Sequence, residues 1–387
     1  MAIEGPVNSW RAAEFFAGIG LAGLGLSRAG IGVVWSNDIA PTKHAMYKRH
    51  FNESADHTYV VEDLGKVEAA SLPAGIDVAW ASFPCTDLSI AGGRAGLHRG
   101  NASSTFWLFI KLLSALGENR PPVVALENVT AFVTSQSGRD ISSAIRSLNG
   151  LGYSVDVLNI DARRFVPQSR PRLFLIGSRY PVKDSSDESP LRPAWLSSIY
   201  EDPTLRTHKL RLPPPPPLMN DGLESYLEEV EESDDRWWSV ERVDALIASL
   251  SDLQLERFTA LRDDTYTAVR SAYRRMRQGK ARWEVRASAI AGCLRTSSGG
   301  SSKQALVFLG NGKVAVRWMT PREYASLMGV SDYKLDGVVE HHAYSGFGDA
   351  VCAPVVQWLA ANYIVPHLQA NDRFVTEDEW KDITLAS

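Results

Sequence analysis

The chain has 387 residues, is 44% hydrophobic and carries a formal net charge of −4, so it can bury one large core and a smaller second one, and one or two domains are expected. That charge excludes a uniformly basic nucleic-acid-binding surface while leaving room for a local basic patch. Its three cysteines, Cys85, Cys293 and Cys352, give neither a disulfide framework nor the paired spacing of a zinc site, and there is no apolar leader or membrane-length apolar run; a cytoplasmic protein without metal or membrane anchor is expected.

Ala12 to Phe16 is an apolar strand candidate that runs into Ala17-Gly18-Ile19-Gly20-Leu21-Ala22-Gly23, and Leu24, Leu26 and an Ala29-Gly30 stop suggest a helix behind it. Strand, glycine turn and helix open a nucleotide-binding fold: glycines let the backbone approach a ligand, and the helix amino terminus offers unpaired N–H groups. The next strand, Gly32 to Asn37, ends at Asp38, an acid about twenty residues past the glycines and placed to take two ribose hydroxyls. Asp63, after Tyr59-Val60-Val61-Glu62, is placed to hydrogen-bond an adenine amine. Each acid has a structural alternative as a helix cap or loop carboxylate.

Asp77 to Phe83 reads as a buried strand that Pro84 stops, so Cys85 opens a loop at the strand's carboxyl end, where open α/β sheets place their chemistry. Ala91 to Gly100 is glycine-rich and basic, and reads as a mobile loop. Ser103-Ser104-Thr105 caps a helix through Phe106, Ile110, Leu113 and Leu116, and a buried strand from Val123 to Leu126 ends in Glu127-Asn128-Val129. Two successive strands thus bring a thiol and an acid to one edge of a parallel sheet. Asp140 is expected to cap a helix whose Ile141, Ile145 and Leu148 share a face, with Gly150 as its stop. Ser154 to Ile160 and Leu173 to Gly177 read as a strand pair entered through Gln168-Ser169-Arg170-Pro171-Arg172. Arginines at alternate strand positions point to one face, which suits phosphate or carbonyl recognition; a solvated edge is the alternative.

Phe16-Ala-Gly-Ile-Gly20, Pro84-Cys85, Glu127-Asn-Val129, Gln168-Ser-Arg-Pro-Arg172, Thr320-Pro-Arg-Glu323 and Gly348-Asp-Ala-Val351 follow one another in an order that resembles the DNA (cytosine-5) methyltransferases of the bacterial, single-chain type. The resemblance runs from about residue 12 to 360, apart from roughly 180 to 315. It implies an α/β fold: a Rossmann-like S-adenosylmethionine-dependent methyltransferase sheet built from residues 1–179 and 317–387, with an inserted smaller target-recognition domain over 180–316. Cytosine C5 is a poor nucleophile, so the family adds a thiolate to C6 to create an enamine that takes the methyl group; Cys85 matches that nucleophile. A free thiol is only a few per cent ionised at neutral pH, so its surroundings must activate it. Glu127 matches the acid that binds N3 and the 4-amino group, Arg172 the residue on O2, and Arg170 and Gln168 support the site, Gln168 from a place against the DNA. The base must leave the duplex, and the loop 86–100, with Ser89 and Arg94, is suited to closing over it. The resemblance further implies that Phe16 stacks on the adenine of S-adenosylmethionine, Asp38 holds the ribose and Asp63 the adenine edge, with Gly18, Gly20, Pro84, Asp349 and Val351 completing the cofactor contacts. Leu21, Thr86 and Asp349 depart from the common pattern, which has Gly, Gln and Asn there. Asp349 either faces the methionine end of the cofactor or caps the final helix.

From Pro181 the pattern changes. Residues 221–235 hold eight Asp/Glu and no Lys/Arg, whereas residues 270–295 hold eight Lys/Arg and one Glu. The acidic run reads as a solvated helix face or tail. The basic run, with Arg274, Arg275 and Arg277 and the interleaved Tyr273 and Trp283, reads as a phosphate-contacting segment, an exposed helix being the alternative. Asn311-Gly312 marks a hairpin between Ala305 to Leu309 and Val314 to Trp318, Thr320-Pro321 starts a helix, and a closing helix from Pro354 to Ile364 is expected beside the first glycine turn. Double-stranded DNA is the expected partner, a cognate restriction endonuclease is an allowed one, and a monomer is expected. A tRNA methyltransferase of the same family and a catalytically silent DNA-binding relative are the rivals; the long insert favours DNA, and Cys85, Glu127 and Arg172 favour an active enzyme.

Overall fold

The computed structural model describes residues 10–51, 55–84, 104–277, 280–296 and 303–371. The chain begins with β1 (Trp10–Phe15), α1 (Leu21–Arg28), β2 (Ile31–Asp38), α2 (Pro41–His50), β3 (Thr58–Val61) and β4 (Val78–Ala81). It continues through α3 (Ser104–Ala115), β5 (Val123–Val129), α4 (Arg139–Gly150), β6 (Ser154–Asp161) and β7 (Pro171–Ser178). One sheet of seven strands takes them in the order β3-β2-β1-β4-β5-β7-β6. Neighbours from β3 to β5 run parallel, and β7 runs antiparallel to β5 and β6. Both faces are covered, which is why β4 and β5 read as unbroken apolar runs. Val78 and Trp80 enter one core while Ala79 and Ala81 enter the other, the alternation a strand imposes.

The order of the strands reverses between β1 and β4, and the carboxyl ends at such a switch point flank a crevice. Register aligns Phe15 with Ala81 and Ala81 with Leu126, so β1 and β4 end at the same level and β5 carries Glu127, Asn128 and Val129 just beyond it.

The middle of the chain adds α5 (Ser197–Glu201), α6 (Val240–Ala248) and α7 (Asp252–Arg262), then β8 (Ala268–Arg277), β9 (Lys280–Val285), β10 (Ala305–Gly310) and β11 (Lys313–Trp318). These four strands form a second sheet, β11-β10-β8-β9. Val243, Leu246, Phe258, Ala272, Val307, Leu309 and Val316 give it a separate core. The basic run is therefore a strand pair and not a helix: β8 gains ladders from β10 on one side and β9 on the other. Asn311 (φ 52°) and Gly312 (φ 72°) close the β10–β11 hairpin in the left-handed conformation that such two-residue turns need. The stretch before this sheet packs on the large one, where Leu191 and Leu223 join one core and Leu196, Ile199 and Leu205 the other. The acidic run holds only a short turn, Leu223–Tyr226, and its Glu228 carboxylate accepts from Thr320 Oγ1.

Return to the large sheet is made by α8 (Pro321–Leu327), α9 (Glu340–Asp349) and α10 (Ala353–Leu359). Thr320 and Glu323 form a reciprocal capping box with Pro321 in the first turn of α8. α10 lies on α1 at Gly25, where a Cβ would stand 2.6 Å from Val356 Cβ and 2.7 Å from the Ala353 carbonyl oxygen. Asp140 does not cap α4: Gly138 holds that position in the left-handed conformation, and Asp140 sits buried in the first turn, accepting from Ser135 Oγ. Among the described residues no helix is long and apolar enough to cross a membrane.

Candidate active site

The first wall of the crevice is the turn after β1. Phe16 leaves the strand at φ 57°, a region a bulky residue rarely occupies, and Gly18 (φ 58°) and Gly20 (φ 81°) follow it; strain of this kind persists where surrounding contacts over-determine it. Those contacts are present. Ala17 N donates to Asn37 O (2.8 Å), Gly18 N to Asp38 Oδ2 (2.9 Å) and Gly20 N to Ala17 O (2.9 Å). Tyr59 OH donates to Gly18 O (2.9 Å) and Tyr333 OH to Ile19 O (3.0 Å).

Asp38 is 7% exposed and also accepts from Ala40 N through Oδ1 (2.9 Å). It therefore shapes the turn, yet each carboxylate oxygen retains a second lone pair for a ligand. Asp63 caps the short turn Leu64–Lys66 by accepting from Gly65 N (2.8 Å). Gly20 serves packing, since a Cβ there would lie 2.5 Å from the Tyr47 ring and 2.6 Å from Phe51. At Gly18 a Cβ would meet Lys43 Cδ at 3.7 Å and Asp38 Oδ2 at 3.9 Å, ordinary contact distances, so the φ of 58° and not crowding is what favours glycine there. Ile39, beside Asp38, is 65% exposed and adds an apolar surface there. Beneath the turn Glu14 is buried, its Oε1 accepting from Gly23 N (3.0 Å) and its Oε2 without a partner. Burial pushes this carboxyl up to about 8 against the opposing Gly23 N–H, with the Asp38 charge adding to the rise.

The second wall is the shared end of β4 and β5. Asn128 Nδ2 donates to Phe83 O (3.1 Å), fixing the strand end that leads through the exposed Pro84 into Cys85. Cys85, Ser89 and Arg94 lie outside the described residues. β5 pairs with β7 so that Glu127 faces Phe174 and Val129 faces Arg172, which sets Arg172 diagonally across from the acid. Its Nε lies 3.0 Å from Glu127 Oε1, the two side chains being 16% and 8% exposed. Charge-assisted and sheltered, this pair holds the carboxylate in one orientation.

Cys293 was not legible as a site residue. Its Sγ stands 3.5 Å from Arg170 Nη1 and 3.9 Å from Arg172 Nη2. Burial would raise this thiol, but the guanidiniums of Arg170 and Arg172 hold it below its ordinary value. By contrast burial pushes Cys352 up to about 12, leaving an inert core thiol.

Four expectations need correction. Gln168, expected at the DNA surface, is fully buried; its Nε2 donates to Leu327 O (2.7 Å) and its Oε1 accepts from Leu294 N (3.2 Å). Arg170, expected to share a strand face with Arg172, is 1% exposed and donates to the carbonyls of Leu294 (2.7 Å), Gly348 (2.8 Å) and Ala350 (2.5 Å). It precedes β7, so it does not share a strand face with Arg172 and instead ties three distant segments together. Val351 is buried in the core. Asp349 caps nothing: it ends α9, while Cys352 precedes α10, and its Oδ2 lies 2.9 Å from Lys43 Nζ.

On the second sheet Arg274 and Arg275 are exposed. Arg274 lies 6.0 Å from the Trp283 ring centre, and Arg275 lies 5.2 Å from the Tyr273 ring with its Nε 3.6 Å from Glu284 Oε2. Arg277 pairs with Lys280 at the end of the ladder, and its side chain lies outside the described residues.

A model of the C-5 cytosine-specific DNA methylases matches residues 10–364. The chain is 25% identical to the type II methyltransferase M.Bsp6I of Bacillus sp. strain RFL6, across 90% of this chain and 97% of that one. It is 26% identical to M.HhaI of Haemophilus parahaemolyticus, across 90% and 92%. Among solved structures, the Entamoeba histolytica methyltransferase EhMeth aligns with a TM-score of 0.54 at 16% identity over 90% of this chain and 96% of that one. A Spodoptera frugiperda DNMT2 variant aligns with 0.56 at 16% over 91% and 98%; at such identities these two show the shared fold. The match extends from β1 to the helical turn after α10 and takes in both walls of the crevice, so the chain belongs to the C-5 cytosine-specific DNA methylases, enzymes whose methyl donor is S-adenosylmethionine.

Proposed function

We propose that this chain methylates C5 of a cytosine swung out of duplex DNA, through a transient bond between Cys85 and C6. The observation that carries the reading is the Glu127–Arg172 pair, held at the level where β4 hands the chain to Pro84 and Cys85. The Cys85 thiolate adds to C6 and opens the C5=C6 bond, while Glu127, on the N3 and 4-amino edge, and Arg172, on O2, stabilise the charge that moves into the ring. When bound, the cofactor supplies an electrophilic methyl group on a sulfonium. Loss of the C5 proton to solvent then restores the double bond and expels the thiolate. Arg170 and Gln168 act as positioning residues behind Arg172.

The first wall suits a nucleoside: Phe16 and Ile39 offer apolar surface, Asp38 a carboxylate bonded to the Gly18 amide, and Asp63 a second carboxylate. Residues 237–318, with their own sheet and core, are assigned to target recognition, with Arg274 and Arg275, and Arg277 after them, on DNA phosphates. A separate four-stranded sheet of this size supports duplex DNA over tRNA as substrate. We assign the protein to the cytoplasm as a monomer, with a cognate endonuclease as a companion in restriction and modification.

Bisulfite sequencing of a plasmid from cells expressing the protein should show methylated cytosines in a fixed context, and Cys85→Ala should abolish them while leaving DNA binding intact. A duplex carrying 5-fluorocytosine should trap a covalent adduct with the wild type alone. Substantial turnover by Cys85→Ala would refute the mechanism.

A further inference from the structure

The segment from Ala291 to Leu294 is bonded from two sides. Ser169 N donates to Ala291 O (3.0 Å) and Ala291 N to Pro167 O (2.7 Å), while Gly292 N donates to Gln304 Oε1 (3.0 Å) and Gln304 Nε2 to Gly292 O (2.9 Å). Leu294 N donates to the buried Gln168. Cys293 is thereby carried against the run that enters β7, with its Sγ 3.5 Å from Arg170 Nη1 and 3.9 Å from Arg172 Nη2. Arg172 then has a partner on each nitrogen: Glu127 on Nε (3.0 Å), the Pro171 carbonyl on Nη1 (3.0 Å) and this sulfur on Nη2. Arg170 is 1% exposed, and its partners are three carbonyls and the same sulfur. Two sheltered guanidiniums thus share one carboxylate, and buried cations require balancing charge.

We propose that Cys293 is a positioning residue for the methylation, its sulfur holding the Nη2 corner of the Arg172 guanidinium while Glu127 holds the Nε corner; this rests on the assignment of Glu127 and Arg172 to the reacting base. Anchors on two nitrogens fix the plane of a guanidinium, whereas one leaves it free to pivot. The sulfur does this best as a thiolate, which also balances the second cation. Arg170, Arg172 and Arg295 favour that form against burial. The other ionisable groups nearby are Glu127 beyond Arg172, and Tyr324 of α8 and Cys352, both kept neutral by burial. Arg172 acts on charge that enters the ring only as Cys85 adds, so a misplaced guanidinium costs rate and not DNA affinity.

The test is a double-mutant cycle in single-turnover methylation of a DNA duplex, with Cys293→Ser, Arg172→Gln and the two together. Cys293→Ser should slow the chemical step by roughly tenfold at pH 9, the scale of one charge-assisted hydrogen bond, and leave DNA affinity unchanged. That loss should shrink towards pH 6, because the wild type gives up its thiolate as pH falls while serine never has one. Added to Arg172→Gln, the serine should cost nothing further. Additive losses, or a Cys293→Ser loss that is the same at every pH, would overturn the proposal by showing that the residue only packs. A second measurement leaves Cys293 in place. In Cys85→Ala protein the buried Cys352 stays un-ionised, so thiolate absorbance that appears below the ordinary cysteine value reports Cys293. Arg172→Gln should move its midpoint up; a midpoint that stays would overturn the contact. An Arg172→Gln protein of undiminished rate would instead remove the assignment of Arg172 to the base.

Discussion

Replacing Glu14 by glutamine removes a buried ionisable group without changing its shape, and the effect on stability should depend on pH in a defined direction. The folded carboxyl sits at about 8, raised chiefly by burial, against an ordinary value of 4.5. Between these values the unfolded chain has released a proton that the folded one retains, so stability is highest below the lower value and falls as pH rises through the window. Each pH unit is worth about 1.4 kcal/mol, so three units from pH 5 to pH 8 remove about 4 kcal/mol through this one group. Glutamine cannot ionise and escapes the loss. Urea unfolding followed by tryptophan fluorescence at pH 5, 6, 7 and 8 gives the test: the advantage of Glu14→Gln over wild type should grow by about 4 kcal/mol across the range, whatever constant offset the amide introduces. A difference that stays flat with pH would refute the reasoning, because it would mean that Glu14 ionises in the folded state as it does in water.

Gly20→Ala should lower unfolding free energy by roughly 1–3 kcal/mol in thermal melts, since the new methyl meets the Tyr47 and Phe51 rings at a residue with φ 81°; an unshifted melt would show that α2 yields. If Arg274 and Arg275 each neutralise one DNA phosphate, changing both to glutamine should flatten the slope of log affinity against log salt by about 2. An unchanged slope would place both side chains in solvent.

Local chemistry was readable where it determines local structure. The glycine turn, the buried runs of β4 and β5, the Asn311-Gly312 hairpin and the Thr320 cap all follow from short-range sterics and period, and all are present. Glu127 and Arg172 are each picked out by the motif order, but their pairing comes from the β5–β7 ladder, which no local pattern reveals. The failures concern burial of polar groups. Gln168 and Arg170 look like surface contacts in sequence because nothing local reveals that Leu294, Leu327 and Gly348 will enclose them. Lys43, Tyr59, Tyr333 and Cys293 went unnoticed for the same reason: each acts on a partner far along the chain. The basic run lacked a clean two-residue alternation, so β8 is decided by its neighbours β9 and β10 and not by its own pattern.

The bond from Tyr333 to Ile19 spans 314 residues, and α10 covers α1 across a still longer interval. On a ribosome adding about 5–20 residues per second, roughly 15–60 s separate the emergence of the glycine turn from that of the residues that fix it. During that interval the face of α1 around Gly25 has no partner, and the methyl-donor cleft cannot be completed. A nascent or prematurely terminated chain would thus carry Cys85 and Glu127 without the ability to modify DNA. Any division of the protein into two complementing fragments would have to bring both ends together again before activity returned.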